Sequence, residues 1–216
     1  MDYHLDHLVE VTNDLEEART RTEARFGRKA NWKSSQADYE TLEWRTENGG
    51  IEILSPTGGA PPGALGLKSL VLVSKNLERA REALQRTGLE PSAIDSAQGT
   101  DQVTGARRAW KRLRCPDVHL GGLKLFVLER EEPLAWIEGP RLEAVEFVTG
   151  DATGLVRLLG ASLGLARTEE CAFDLGGVRL EILEGPPGSP HRIEGYRLAR
   201  PGSSRNADEN RVPEVG

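Results

Sequence analysis

Four histidines and two cysteines are the residues of this 216-residue chain whose types suit metal ligation or nucleophilic attack. Their spacing narrows that chemistry at once. His4 and His7 stand three positions apart, so on a strand they point to opposite faces and do not share one ion. His119 falls in the turn-like run Pro116-Asp-Val-His-Leu-Gly121, and His191 in the C-terminal region. Cys115 and Cys171 are far apart with no CxxC spacing, which argues against a disulfide framework and a thiolate zinc site. The chain has no GxGxxG, P-loop, HExxH or GxSxG pattern, so dinucleotide chemistry, nucleotide hydrolysis and serine hydrolysis have no support. Arg107-Arg108 and Lys111-Arg112 form a small basic cluster that suits either an anionic substrate or a solvated strand edge. Trp32, Trp44, Trp110 and Trp136 are large enough to line a pocket or to anchor a core.

Composition sets the background. Lys and Arg total 28 against 34 Asp and Glu, a net charge of -6, so there is no basic excess to neutralise a nucleic-acid backbone. The N-terminal MDYHLDHLVEVTND carries acids where a signal peptide needs basic and then apolar residues. No stretch approaches 18 uninterrupted apolar residues. The expectation is a soluble, cytoplasmic protein whose partner is a small molecule rather than nucleic acid or membrane. Its length allows one sizeable core or two small ones.

The elements that must position any site come from an internal repeat. Leu5-Asp-His-Leu-Val-Glu-Val-Thr-Asn-Asp-Leu-Glu-Glu-Ala18 aligns without a gap on Leu67-Lys-Ser-Leu-Val-Leu-Val-Ser-Lys-Asn-Leu-Glu-Arg-Ala80, and a weaker third copy begins at Leu142. Each copy reads as a strand, a capping cluster and an amphipathic helix ending near Gly27, Gly88 or Gly164. Asn13 and Glu16 have capping-box spacing, which predicts the first helix over 14–26. The period then falls to two, giving paired strands around turns at Glu47-Asn-Gly-Gly50, Leu120-Gly-Gly122 and Gly176-Gly177. The prediction is an α+β chain of βαβββ modules at 1–57, 64–130 and 141–184. An extended tail is expected over 185–216. The polar run 92–105 reads as a surface insertion or as a flap over a pocket.

A βαβββ unit that opens with LDHLV, continues through N-D-L-E and closes on G-I-E-I-L-S-P resembles the vicinal oxygen chelate superfamily, and more narrowly its glyoxalase-like domain family. That superfamily includes glyoxalase I, extradiol dioxygenases, and fosfomycin and bleomycin resistance proteins. The resemblance covers roughly 3–184 and is strongest over 5–54. It implies curled mixed sheets around a cleft, within one domain spanning 1–184. The first and last strands of a module would each offer one side chain to the concave face. Those positions are His7 and Glu52 in the first copy, Ser69 and Lys124 in the second, and Ala144 and Glu181 in the third.

The resemblance implies a lyase, isomerase or dioxygenase in which His7 and Glu52 hold a divalent Fe, Mn, Ni or Zn ion that polarises a carbonyl or vicinal oxygen substrate. Glu52 or Glu129 would be the base, and Ser69, Lys124, Trp44 and Glu181 would contact substrate. Glu129, Glu181 and His119 are the candidates for a third ligand. The sequence departs from the family pattern where Lys124 replaces a carboxylate and Ser69 and Ala144 replace histidines. That departure favours an alternative, a metal-free protein binding or sequestering a small ligand in the same cleft. Module pairing within one chain or across a homodimer stays open.

Overall fold

Each copy of the repeat begins its helix on the same repeat position. In the computed structural model, which describes residues 3–115, 123–131, 137, 139–165 and 167–199, the N-caps are Asp14, Asn76 and Asp151. Each accepts a hydrogen bond from the backbone N–H three residues on, satisfying a donor that the first turn leaves open. The first cap is therefore one residue later than the capping-box spacing predicts. Asn13 acts elsewhere, because its amide clamps the backbone of Ala60 and so fixes the connector after the first module.

The first module comprises β1 (His4–Val11), α1 (Leu15–Phe26), β2 (Trp32–Ser35), β3 (Tyr39–Thr46) and β4 (Gly49–Pro56). The second is β5 (Gly66–Val73), α2 (Leu77–Arg86), β6 (Asp95–Thr100), β7 (Arg107–Cys115) and β8 (Lys124–Arg130). The third is β9 (Arg141–Thr149), α3 (Ala152–Leu163), β10 (Arg167–Glu169), β11 (Ala172–Asp174) and β12 (Arg179–Glu184), followed by β13 (Arg192–Ala199). No helix among the described residues is long and apolar enough to cross a membrane.

The first two modules share one curled, mixed sheet in the order β2-β3-β4-β1-β5-β8-β7-β6. The third forms a second sheet, β10-β11-β12-β9-β13. β13 lies where a loose tail was expected: it pairs antiparallel with β9, as β5 does with β1, so 192–199 belong to the fold. Period-two alternation sorts the side chains of the larger sheet. Leu8, Ile51, Ile53, Leu70, Leu72, Leu125 and Val127 face the helices and the third module in one continuous core. Val9, Val71 and Leu128 form a separate apolar floor on the concave face.

Two devices shape that face. The run 92–105 is neither a plain insertion nor a free flap, because β6 extends the sheet until its far edge meets β2. There buried Asp101 accepts hydrogen bonds from Lys33 N–H (3.0 Å) and Thr104 N–H (3.1 Å), while Gln102 N–H donates to Lys33 C=O (2.8 Å). The sheet is thereby nearly closed into a barrel. Gly99 belongs to this closure, since a Cβ there would lie 3.3 Å from the Trp110 ring and 3.7 Å from Trp32.

The second device is a buried ion network. β1 bulges between Leu5 and His7, and Asp6, 4% exposed, receives Nε–H of Arg130 at 2.8 Å and lies 3.6 Å from Arg45. Arg45 also pairs with Glu43, which pairs with Arg108 at 2.7 Å. The network ties β1, β3, β7 and β8 together below the concave surface.

Replacing Asp101 by Asn removes acceptor capacity from a buried site and should cost about 1–3 kcal/mol in urea unfolding, with faster amide exchange at Lys33. Asp6→Asn leaves Arg130 and Arg45 without their shared counter-charge and should cost about 3–5 kcal/mol near neutral pH. Burial opposes ionisation of Asp6, but Arg130, His7 and Arg45 outweigh it and hold the carboxyl well below its usual range. Its stabilisation is thus complete above the unfolded carboxylate value and is lost as pH falls below it. The gap between wild type and variant should therefore narrow only in acid, as thermal melts across pH would show.

Candidate functional site

The concave face encloses a cleft of about 690 Å³, within the size range of small-molecule sites. Its geometry follows from register. Trp32 pairs with Glu43, Glu43 with Glu52, Glu52 with Val9, Val9 with Ser69, and Ser69 with Lys124. These six residues form one rung across six strands and all line the cleft. Trp32 ends the rung on β2, followed by the carboxylates of Glu43 and Glu52, then apolar Val9, and a hydroxyl and an ammonium at the other end. His7, Val71, Phe126, Trp110 and Arg130 surround it.

Register also corrects the correspondence between modules. Glu52 lies opposite Val9, whose repeat partner Val71 lies opposite Phe126. Phe126 therefore holds the place of Glu52 in the second module, and Lys124 stands one rung away on the same face.

His7 is 8% exposed and its Nδ1 is 2.6 Å from Asp6 Oδ2, which leaves Nε2 as the ring nitrogen free to meet a ligand. Desolvation alone would lower the imidazole pKa, but the hydrogen bond to Asp6 and the charges of Asp6, Glu52 and Glu43 outweigh it and raise the value. Glu52 differs from the other acids of this face. No described residue makes a hydrogen bond or ion pair with it, and burial raises its pKa, helped by Glu43 and only partly opposed by His7 and Arg45. A carboxylate so placed suits proton transfer. Glu43, by contrast, is held below its usual range by Arg45, His7 and Arg108 in spite of its burial, so it stays ionised and structural.

His7, Glu52, Ser69 and Lys124 thus all reach the cleft; three other expected site residues do not. Trp44 is fully buried in the core, its Nε1–H donating to Arg28 C=O at 3.1 Å and its ring 6.4 Å from Phe26. It occupies the opposite parity of β3 to Glu43. Glu129 faces away from the cleft, where it accepts from the N–H of Leu77 at the start of α2 and sits 3.8 Å from Lys111. It serves the helix end and is not placed to act as base or ligand. Glu181 lies on the smaller sheet, paired with Arg197 at 2.7 Å and Arg179 at 3.1 Å. His119 and Trp136 lie outside the described residues. Of the basic cluster on β7, Arg108 and Arg112 line the cleft, and Glu43 and Arg130 line it unanticipated as site residues, although the alternation of β3 and β8 carried the signal.

The divalent ion that the resemblance implies needs a donor set. No group of three or more His, Cys, Asp or Glu among the described residues is placed to hold one. His7 and Glu52 are two donors where a resident ion needs at least three, and the next polar chain on the rung beyond Ser69 is the cation Lys124. These residues do not fit a resident metal.

No protein-family model matches the sequence, and no curated protein matches it. Solved structures do. A hypothetical protein from Staphylococcus aureus is 13% identical, with a TM-score of 0.62 over 85% of this chain and 86% of that one. A mutant of 4-hydroxymandelate synthase from Streptomyces coelicolor is 10% identical, with a TM-score of 0.62 over 85% of this chain and 63% of the synthase. Methylmalonyl-CoA epimerase from Mycobacterium tuberculosis is 13% identical, with a TM-score of 0.49 over 60% of this chain and 89% of the epimerase. At such identities a likeness concerns architecture alone, and the two matches with a TM-score of 0.62, with the module order and the curled sheet around a cleft, show that this chain has the vicinal oxygen chelate fold.

Proposed function

We propose that the chain is a glyoxalase-like small-molecule enzyme that moves a proton at a carbon beside a carbonyl or vicinal oxygen group, with Glu52 as the acid–base residue. The observation that carries this reading is the unpaired, partly buried Glu52 carboxylate facing the cleft beside His7. Ionised Glu52 takes the proton from the substrate carbon, and charge develops on the substrate oxygen. His7 in its imidazolium form, which its raised pKa favours, gives Nδ1–H to Asp6 and donates Nε2–H toward that oxygen. The proton returns from Glu52 to the same carbon or its neighbour, so atoms balance with no external co-reactant. Apolar Val9, Val71 and Leu128 keep the floor dry and strengthen these interactions.

A second reading, supported by the aromatic walls and by Lys124, is a cleft that binds and sequesters its ligand without turning it over. Solvent deuterium exchange into a panel of carbonyl compounds, followed by NMR, separates the two. Wild type should exchange at least one compound, and Glu52→Gln should slow that exchange by about 10²–10⁴-fold with ligand still bound. Equal exchange by both proteins would refute the assignment, while binding without exchange would favour sequestration. Metal analysis of protein purified without added ions belongs with it: stoichiometric Fe, Mn, Ni or Zn that disappears in His7→Ala would restore the ion to the site.

The raised pKa of Glu52 has a stability consequence. The folded state binds the Glu52 proton more tightly than the unfolded chain, so stability falls as pH rises from the unfolded carboxylate value through the folded one. Glu52→Gln should therefore melt higher than wild type above that window and equal to it in acid. The exchange rate should climb with pH through the same window, as the carboxylate forms.

A further inference from the structure

We infer that the ligand of this cleft is a linear, monoanionic aromatic carboxylic acid whose carboxylate sits at Lys124 and Ser69 and whose far end carries the reactive group at Glu52. The inference rests on the cleft being the ligand site proposed above and names what that site takes. Three independent features lead to it.

Charge is the first. In the buried network three guanidiniums, Arg45, Arg108 and Arg130, face two carboxylates, Asp6 and Glu43. Glu52 would balance the excess when ionised, and its burial opposes that ionisation. At the other end of the rung, Lys124 makes no ion pair or hydrogen bond with any described residue, and the hydroxyl of its register partner Ser69, itself 5% exposed, is likewise unused. An exposed ammonium and an unused hydroxyl on neighbouring strands of the same cleft recognise one carboxylate.

Ring content is the second feature. The chain has only four tryptophans, three tyrosines and four phenylalanines, yet Trp32, Trp110, Tyr39 and Phe126 all line this one cleft. Phe126 and Trp110 pack onto the Val9, Val71 and Leu128 floor, making an apolar wall next to Lys124. Trp32 is itself buried, with the Arg108 guanidinium stacked on one side of its ring at 3.8 Å, so Trp110 and Phe126 offer the more accessible ring surface.

Length is the third. β4 and β5 are separated by β1, so Glu52 and Ser69 lie two strand spacings apart, or about 10 Å at the usual ~4.8 Å per strand, and curling of the sheet shortens that span. A single ring with a carboxylate at one end and a carbonyl group para to it spans this gap. A short aliphatic oxo acid does not.

The test uses three probes: para-acetylbenzoate, its neutral amide, and the saturated ring analogue trans-para-acetylcyclohexanecarboxylate. Binding is read by tryptophan fluorescence and NMR titration. The aromatic acid should bind about tenfold or more tighter than the amide and also tighter than the saturated acid. Lys124→Met should reduce the acid to the affinity of the amide and leave the amide unchanged; Lys124→Arg should keep most of the preference. Glu52→Gln should bind both aromatic probes and lose acetyl-group deuterium exchange. Equal binding of acid and amide, an equal loss of both in Lys124→Met, or no binding of any probe would overturn the inference. Exchange of other carbonyl compounds that depends on Glu52 but not on Lys124 would leave the proton-transfer reading standing while removing this one.

Discussion

The charge of Asp6 is the interaction on which the cleft depends. It is taken out of water on a bulged strand, and neighbouring strands supply or support the groups that make its burial tolerable: Arg130 from β8, Arg45 from β3, and through Glu43 the Arg108 side chain of β7. Breaking one partner of such a network exposes the others to an uncompensated charge, so its members hold one another in place. The same carboxylate fixes the His7 ring, so the network also sets the direction of a site residue.

The balance of charge in this network explains why neighbouring carboxylates behave differently. Asp6 and Glu43 have guanidinium partners and remain ionised, whereas Glu52 is one strand further along the rung, has no such partner, and holds its proton more tightly. Acids whose environments move their proton affinities apart are what acid–base chemistry requires. Where the superfamily resemblance would draw ion ligands from the second module, the register places Ser69 for His7 and Phe126 for Glu52, with Lys124 one rung away. An ammonium can attract an anionic group, but it cannot accept a substrate oxygen into a coordination shell, and that difference shapes the function proposed for this cleft.

The third module shows how far the repeat could drift once it left the cleft. Glu181 keeps the register of Glu52, yet on the open smaller sheet it is neutralised by Arg197 and Arg179. No sheet edge closes over Glu181 as it does over the cleft that holds Glu52. The Asp101 clamp between β6 and β2 provides that closure in the larger sheet, and β10 and β13 leave the smaller sheet without it.

The sequence alone marked the helices, the first of them with its cap one residue early, the alternation of strands and the two polar residues His7 and Glu52. All of these are local: caps, turns and periodicity act over a few residues and leave a readable pattern. Only the tertiary structure decided which polar residues share a face of one cavity. Trp44 and Glu43 are neighbours in sequence, yet strand parity sends one to the core and the other to the cleft. Glu129 and Arg130 divide in the same way, one to a helix end and the other to Asp6. Asp101 and Arg45 have no local signature, because their partners lie across strands that only the curled sheet brings together. The place of Lys124 beside Ser69 and of Phe126 in the position of Glu52 was likewise set by strand register, since spacing along the chain fixes neither a bulge nor the rung on which two strands meet.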